Sequence, residues 1–234
     1  MAPIVVLTGA GLSAESGLGT FRDVGGVWSR VRLEDVATPE GFARDPARVH
    51  AFYNARRVQA AAAEPNAAHR ALARLRAEAG AALVTQNVDA LHEAAGAEAI
   101  HMHGRLDEAL CGACGHRWPA PLEMSTESVC PRCEARAARP AVVWFGEIPE
   151  RMDEIGALLD GAEIFAAVGT SGSVWPAAGF AAQARAAGAR TVELNLAESE
   201  MSHVFDEHRR GPASEVVPAW VEEILALRAP GAPG

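Results

Sequence analysis

The amino-acid sequence predicts an α/β fold: a Rossmann-like, doubly wound parallel sheet with a smaller helical insert and a module held by four cysteines. Three observations lead to this prediction. Short apolar runs alternate with helical patterns along most of the 234 residues, which is typical of a parallel sheet with helices on both faces. Glycine and small polar residues follow several of these runs, at the strand ends where such sheets bind ligands. The cysteines all fall in one segment, as two pairs.

The first predicted strand is residues 3–8, a near-continuous apolar run of the kind that is buried in parallel sheets. It runs into Gly9-Ala10-Gly11, and residues 13–17 predict the start of a helix. Glycines after a strand let backbone N–H groups approach an anion at a helix N-terminus, so this turn is a candidate phosphate site. A tight turn without a ligand gives the same pattern, and the turn alone leaves both interpretations open.

Between this turn and the cysteines, the pattern predicts one loop, two helices and two strands. Residues 22–45 are rich in Gly, Asp and Arg and predict a long loop with little core of its own. The helical and strand patterns that follow cover residues 46–63, 65–79, 82–85 and 100–104. The two strands end on Gln86-Asn87-Val88-Asp89 and on His103-Gly104.

The cysteines have the spacing C-x2-C-x15-C-x2-C, at Cys111, Cys114, Cys130 and Cys133. Each pair places two thiolates on one tight knuckle, and two knuckles can surround a zinc ion tetrahedrally. Two disulfides are the alternative, but they need an oxidising compartment that nothing else in the sequence indicates. We therefore predict one structural Zn2+ with full sulfur coordination, in a four-cysteine zinc-binding module of a cytoplasmic protein.

After the cysteines, the alternation of strands and helices resumes. Strand and helix patterns cover residues 141–145, 150–159, 163–168, 176–187, 190–194 and 218–227. Gly169-Thr170-Ser171 follows one of these strands and Asn195 follows the next. Since the carboxyl ends of parallel strands meet at one edge of a sheet, these residues and the glycine turn describe a crevice for a dinucleotide.

Charge and hydropathy argue against two classes of partner. The net charge is −9 and the arginines are not clustered, which argues against a nucleic-acid partner. No run approaches the roughly 18 apolar residues of a membrane helix, which argues against a membrane partner. We expect a monomer that acts without nucleic acid or membrane.

Several motifs, in their order along the chain, resemble those of the sirtuins, the NAD-dependent protein lysine deacylases. The opening signature of that family is similar to Gly9-Ala10-Gly11-Leu12-Ser13-Ala14-Glu15-Ser16-Gly17 together with Thr20-Phe21-Arg22-Asp23. Further similar segments are Thr85-Gln86-Asn87-Val88-Asp89, His103-Gly104, the two cysteine pairs, Val143-Trp144-Phe145-Gly146-Glu147, Gly169-Thr170-Ser171 and Asn195. The resemblance departs at Leu18-Gly19, where most sirtuins have Ile-Pro.

The resemblance implies a reaction in which NAD is consumed as a co-substrate. The acyl-lysine oxygen attacks the nicotinamide ribose, nicotinamide leaves, and the acyl group ends on the ribose as O-acyl-ADP-ribose. His103 is the implied general base for a ribose hydroxyl, a role that suits an imidazole. By the same resemblance, Asn87 orders the ribose and nearby water, and Asp89 binds the nicotinamide carboxamide.

The resemblance also implies a cofactor-binding set and a substrate-binding set. In the first set, Arg22 would meet a phosphate and Phe21 would cover the emptied nicotinamide site. The whole cofactor-binding set is Gly9, Ala10, Gly11, Ser13, Glu15, Phe21, Arg22, Gln86, Asn87, Asp89, Gly169, Thr170, Ser171, Asn195, Leu196, Ala197 and Ala213. The set for the acylated lysine of another protein is Tyr53, Arg56, Val143, Trp144, Phe145, Gly146 and Glu147.

The pair Tyr53-x-x-Arg56 resembles the one that marks class III sirtuins, which remove succinyl and malonyl groups. The implied activity is therefore removal of succinyl, malonyl and acetyl groups, and the resemblance to compact bacterial members covers nearly the whole chain. The implied domains are 1–22, 66–104 and 140–234 for NAD binding, 23–65 for the cofactor loop and helical insert, and 105–139 for the zinc module.

Alternatives stay open at this stage. His101 is a rival to His103, since side chains two residues apart on a strand point to the same face. The segment 52–57 could be an ordinary amphipathic helix face with Arg57 in solvent. A mono-ADP-ribosyltransferase or NAD hydrolase could use the same site, and a zinc-ribbon module for nucleic acid is a rival of another class.

Overall fold

A computed structural model describes residues 3–19 and 32–228 of the chain. In chain order its elements are β1 Ile4–Thr8, α1 Ala10–Ala14, α2 Leu33–Val36, α3 Pro39–Arg44, α4 Pro46–Ala62, α5 Ala67–Ala79, β2 Ala82–Thr85, α6 Leu91–Ala94, β3 Ile100–His101, β4 Gly104–Cys111, β5 Arg117–Pro119, β6 Ala138–Val142, α7 Met152–Asp160, β7 Ile164–Val168, α8 Phe180–Ala186, β8 Arg190–Asn195, β9 Glu207–Arg210 and α9 Ala213–Arg228. Within the ranges that the structure describes, we find no helix with both the length and the apolar character needed to span a bilayer.

The main sheet is parallel and has the Rossmann strand order. In the described part of the chain, six strands form it in the order β3-β2-β1-β7-β8-β9, and all neighbouring pairs are parallel. Counted along the chain within this sheet, that order is 3-2-1-4-5-6. The order reverses between β1 and β7, so the carboxyl ends of these two strands flank a crevice. The predicted Rossmann-like α/β class is confirmed.

The sheet is buried on both faces, which explains the continuous apolar run of β1. Ile4 and Val6 pack with side chains of α5 and α9 on one face. Val5 and Leu7 pack with side chains of α7 and α8 on the other. Because successive side chains of a strand point to opposite faces, a strand covered on both faces is apolar at every position.

A second, smaller sheet carries the cysteines. Its strands lie in the order β5-β4-β6 and pair antiparallel. The prediction that residues 141–145 form a strand of the parallel sheet is wrong. β6 ends at Val142 and pairs antiparallel with β4 in the small sheet. The following residues are held by loop contacts instead: the Phe145 N–H donates to Ala37 O at 2.9 Å, and Trp144 is buried against the helical insert.

The strand that the sequence predicts over residues 100–104 is divided between the two sheets. β3 covers only Ile100–His101, and β4 begins at Gly104. Gly104 has φ +74°, and a Cβ there would lie 2.1 Å from Ala141 O, so only glycine fits. His101 and His103 therefore do not share one strand, and the prediction of a single strand over residues 100–104 is wrong.

Residues 32–45 contain two short helices, α2 and α3, and not the long loop that the sequence predicts. The side chains of Thr38 and Asp45 cap α3 and α4, and each is followed by a proline at the first helical position. Val36 is fully buried with residues of α4 and the small sheet, so the insert has a core of its own. Residues 22–31 of the predicted loop lie outside the described residues.

The C-terminal part of the chain differs from the prediction in two places. β9 consists of four charged or titratable residues and pairs with β8 at the edge of the sheet. The sequence did not predict this strand, because such residues are not typical of strands. α9 begins at Ala213, five residues before the helix that the sequence predicts over 218–227. Pro218 lies inside this helix.

Candidate active site

The crevice at the carboxyl ends of β1 and β7 is floored by two glycine turns in contact. The N–H of Gly11 donates to Gly169 O at 2.8 Å. A Cβ on Gly9 or on Gly11 would lie 2.8 Å from atoms of Gly169, and Gly169 itself has φ +61°. These glycines thus allow a close approach of two backbone turns at the point where doubly wound sheets bind dinucleotides, so the site fits NAD.

Polar side chains from three strand ends converge on Thr170, beside the glycine turns. The Gln86 amide donates to Thr170 Oγ1 at 3.0 Å, and the Asn195 amide donates to Thr170 O at 2.7 Å. Gln86 follows β2, Thr170 follows β7, and Asn195 ends β8. The structure therefore brings together residues that the sequence analysis assigned to one cofactor site from separate motifs.

Asn87, Ser13 and Asp89 form a buried hydrogen-bonded group next to the Gly9 turn. The Asn87 amide donates to Gly9 O and to Ser13 Oγ, both at 3.1 Å, and the Ser13 hydroxyl donates to Asp89 Oδ2 at 3.1 Å. Burial raises the pKa of Asp89, while the Leu91 N–H, the Ser13 hydroxyl and nearby cations oppose that rise. The group presents an amide and a carboxylate at the carboxyl end of β2.

His103 is oriented by a single backbone contact. Its Nδ1 lies 3.0 Å from Gln86 O, and because a carbonyl oxygen only accepts, Nδ1 carries the hydrogen. Burial lowers the pKa of His103 below 6.5, which favours the neutral ring. A neutral ring with hydrogen on Nδ1 has Nε2 as its basic atom, so His103 can act as a general base.

Tyr53, the only tyrosine of the chain, is buried on α4 and bonded to the segment after β6. Its hydroxyl accepts from Trp144 Nε1 at 2.9 Å. Burial raises the pKa of Tyr53 to about 12, so the hydroxyl stays neutral and keeps one hydrogen to donate. Tyr53 and Trp144 are thus buried core residues joined by a polar contact.

Arg56 is half-buried one helical turn after Tyr53, and its charge interacts with Tyr53 and Asp89. Burial lowers the pKa of Arg56, and those two neighbours counteract the shift. A guanidinium remains protonated despite such a shift. Arg56 therefore places a cation near the Asn87–Ser13–Asp89 group, on the same helix as Tyr53.

The predicted substrate segment, residues 143–147, lies directly beside His103. The Val143 N–H donates to His103 O at 2.9 Å. The Glu147 carboxylate accepts from the Trp144 N–H at 2.8 Å and from the Arg139 guanidinium, so Glu147 stabilises this segment. Phe145 is 47% exposed and is open to a ligand.

Other predicted cofactor residues lie further from this group or outside the described residues. The Glu15 carboxylate accepts from the Ser214 N–H at 3.0 Å, next to Ala213 at the start of α9. Leu196 and Ala197 are exposed in the loop after β8, and Phe21 and Arg22 are not among the described residues.

The four cysteine sulfurs lie together at the end of the small sheet. All four Sγ atoms are within 4.8 Å of one another, and the Sγ atoms of Cys111 and Cys133 are 3.6 Å apart. A zinc tetrahedron with Zn–S bonds of about 2.3 Å has edges of about 3.8 Å, whereas a disulfide would need sulfurs at about 2.05 Å. The four thiols therefore fit a zinc ion.

The two zinc knuckles have the same backbone geometry. The fifth residue donates its N–H to the carbonyl of the first cysteine at 2.9 Å in each knuckle, Gly115 to Cys111 and Glu134 to Cys130. Gly115 and Glu134 both have positive φ, 71° and 60°. Glycine adopts this conformation readily, whereas it is uncommon for a glutamate.

Arg57 connects the helical insert to the zinc module and is not in solvent. It is 3% exposed, and its guanidinium donates to Leu106 O at 2.9 Å, Leu122 O at 3.1 Å and the Asn54 side chain at 2.7 Å. No pattern in the sequence signals the contact with the zinc module, because its two acceptors are backbone carbonyls 49 and 65 residues away.

Replacing any one of the four cysteines with alanine is expected to destabilise the zinc module and to lower activity through misfolding. A closed thiolate site contributes folding free energy and has no open position for a substrate. Metal analysis of fresh, reduced protein should give one zinc per chain, and thermal unfolding should occur at lower temperature in the variants. Well under one zinc per chain in the native protein would contradict this.

Two buried histidines, His69 and His92, form a contact that the sequence analysis missed. Their ring centroids are 5.3 Å apart, and His92 Nε2 is 3.0 Å from Thr8 Oγ1 at the end of β1. Burial lowers the pKa of His69 to about 4 and that of His92 to about 3. Both rings are neutral at physiological pH and support the carboxyl end of the central strand.

The free energy of unfolding is therefore expected to fall as the pH falls below 6.5, the ordinary value for both rings. In that range the unfolded chain binds protons that the folded chain does not, at a cost of up to about 1.4 kcal/mol per pH unit for each ring. Urea denaturation at about pH 7 and at about pH 5.5 measures the slope. The His92→Gln variant should show a shallower slope, and equal stability of the native protein at both pH values would refute the expectation.

Comparison with known proteins shows similarity along nearly the whole chain. The model of the family described as Sir2 family matches residues 9–176. A protein of Caulobacter vibrioides named NAD-dependent protein deacylase is 57% identical over 232 residues, covering 95% of this chain and 97% of the relative.

Solved structures are similar over comparable lengths. A Sir2 homologue in complex with NAD has a TM-score of 0.88 at 36% identity, covering 95% of this chain and 89% of that chain. A Sir2 protein bound to acetylated peptide has a TM-score of 0.81 at 28% identity, covering 94% of this chain and 92% of that chain.

Proposed function

Because the chain belongs to the Sir2 family, we propose that it is an NAD-dependent protein lysine deacylase that removes succinyl, malonyl and acetyl groups from other proteins. The observation that carries this proposal is the position of His103. The His103 Nδ1 lies 3.0 Å from the carbonyl oxygen of Gln86, which precedes Asn87, and the His103 carbonyl accepts from the Val143 N–H at 2.9 Å. These contacts support a role for His103 as a general base between a candidate nucleotide crevice and a candidate substrate segment.

Bound NAD supplies the ribose that accepts the acyl group as nicotinamide leaves. The residues that would hold it are the two glycine turns, Gln86, Thr170 and Asn195, together with Asn87 and Asp89. Asn87 donates from an amide fixed at 3.1 Å to Ser13, so its orientation is set before a ligand arrives. His103 takes a proton at Nε2, while Gln86 O holds the ring through Nδ1.

The acyl preference that we propose rests on Tyr53 and Arg56. A succinyl or malonyl group ends in a carboxylate, and burying it is costly without a cationic partner. Arg56 offers a fork of N–H donors that a carboxylate can accept in pairs, and Tyr53 keeps a hydroxyl hydrogen. An acetyl group has no carboxylate for the guanidinium to bind, so deacetylation should proceed more slowly.

The zinc module has a structural role in this proposal. Four thiols in zinc-binding positions support a reducing compartment, the cytoplasm. The monomeric state stays a prediction, and light scattering in solution tests it.

Mass spectrometry of acetyl-, succinyl- and malonyl-lysine peptides, each incubated with and without NAD, tests the function. All three acyl groups should be lost only when NAD is present, with one nicotinamide released for each acyl group removed. Intact acyl-lysine in the presence of NAD would refute the proposal. Nicotinamide release without loss of the acyl group would indicate the alternative, a mono-ADP-ribosyltransferase or an NAD hydrolase.

A further inference from the structure

His101 is buried and has an acceptor at each ring nitrogen. It is 6% exposed. Its Nδ1 lies 3.0 Å from the backbone carbonyl oxygen of Asn87, and its Nε2 lies 3.0 Å from Glu93 Oε1. A carbonyl oxygen has no hydrogen to give, so the Nδ1 contact requires hydrogen on Nδ1.

The Glu93 contact needs one hydrogen between Nε2 and Oε1, and an ionised Glu93 carboxylate leaves that hydrogen on Nε2. Glu93 Oε1 also accepts from the Ala99 N–H at 3.2 Å and lies 3.4 Å from Arg105 Nη1, so three donors converge on it. The other carboxyl oxygen, Glu93 Oε2, has no hydrogen-bond partner in the part of the chain that the structure describes. A hydrogen on Oε2 would therefore have no acceptor among these residues. Burial favours the protonated acid, but the hydrogen bonds from His101 and the Ala99 N–H lower the pKa of Glu93.

We propose that His101 is a buried imidazolium which, paired with Glu93, fixes the backbone at Asn87 and so positions the Asn87 amide and the Asp89 carboxylate. It is a positioning residue and contacts neither reacting group. The Asn87 carbonyl is held by His101, and the Asn87 amide is held by Gly9 O and Ser13 Oγ. The catalytic part of this inference rests on the proposed deacylase function, whereas the charge of His101 does not.

The charges around the ring are consistent with a cation. The acids that interact with it are Glu93 on α6, Asp89 in the loop after β2 and Asp107 on β4. The cation Arg105 is paired with Glu93 and Asp107. The remaining base is His92, which is neutral because burial, with smaller contributions from His69 and His101, lowers its pKa to about 3.

The two histidines of the His101-Met102-His103 segment therefore differ in charge. His101 has a carbonyl and a carboxylate as partners and needs hydrogen on both nitrogens. His103 has the Gln86 carbonyl at Nδ1, and burial lowers its pKa. One ring thus serves as a fixed cation that supports Asn87 and Asp89, and the other remains a neutral base.

Nuclear magnetic resonance of the full-length protein labelled with 15N-histidine tests the charge directly. At the pH of the deacylation assay, the His101 ring should give two protonated nitrogens, identified by their loss in the His101→Gln variant. The Glu93→Gln variant keeps an oxygen that can accept but removes the charge, so the same ring should lose one proton. A singly protonated His101 ring in the native protein would overturn the proposal.

Steady-state kinetics test the positioning role. His101→Gln and Glu93→Gln should each lower kcat/KM for NAD by up to about 10²-fold, since a small misplacement of an orienting group has effects of this size. Inhibition by nicotinamide should weaken in parallel, a change that lower stability alone does not cause. Glu98→Gln, at an exposed acid nearby, is the matched control.

Wild-type kinetics and nicotinamide inhibition in folded His101→Gln and Glu93→Gln would overturn the positioning role. If the native protein removes no acyl group at all, the proposed function fails, and the spectrum of the native protein still decides the charge of His101.

Discussion

Replacing His103 with alanine is expected to abolish NAD-dependent deacylation while leaving the fold and NAD binding in place. General-base catalysis contributes about 10²–10⁴-fold, so the remaining rate should be near the limit of detection. The ring is half-buried and its contact is to one backbone carbonyl, so its removal leaves the core intact. Peptide assays measure the loss, and calorimetric titration with NAD measures binding.

The matched control for this variant is His101→Ala, which should keep more activity because His101 acts only through Asn87. If the two variants had exchanged effects, the base would be His101. The pH profile gives a second check. Burial lowers the pKa of His103 from 6.5, so the neutral, active form persists below that pH. An acid limb of kcat/KM above pH 6.5 would indicate a different base.

Replacing Arg56 with methionine is expected to abolish desuccinylation while sparing or raising deacetylation. A succinyl carboxylate that loses its cationic partner in a buried site costs about 3–5 kcal/mol, which corresponds to a large change in selectivity. Methionine keeps much of the side-chain length without charge, so the acetyl substrate loses no partner. The ratio of kcat/KM for succinyl- and acetyl-lysine peptides measures the effect.

Two other arginines of α4 serve as controls for this prediction. Arg48→Met changes an exposed residue whose partner is Asp35, at 3.5 Å, and should leave the ratio unchanged. Arg57 cannot replace Arg56, because its guanidinium is already bonded to Leu106 O and Leu122 O. Two results for Arg56→Met would contradict the class III assignment: equal losses on both substrates, or unchanged desuccinylation. Either would indicate a deacetylase without a preference for acidic acyl groups.

The zinc module was predictable because its signal is local in sequence. Two pairs of cysteines with two residues between them place thiolates on tight turns whatever the rest of the fold is. The parallel sheet was predictable for a similar reason, since strands buried on both faces are apolar at every position. Short elements with mixed composition, such as α2, α3 and β9, showed no such periodicity.

The sequence alone thus determined the class of fold and the cysteine cluster, and its motifs predicted where NAD would bind. Only the tertiary structure decided which polar groups meet: the Tyr53 hydroxyl with Trp144, and Arg57 with the zinc module. It also gave His101 and His103 different partners, although only Met102 separates them. The periodicity of the sequence fixes which face of an element is buried. A hydrogen bond between distant residues depends instead on how whole elements pack. The charge of a buried ring follows from such hydrogen bonds, so it too depends on the packing.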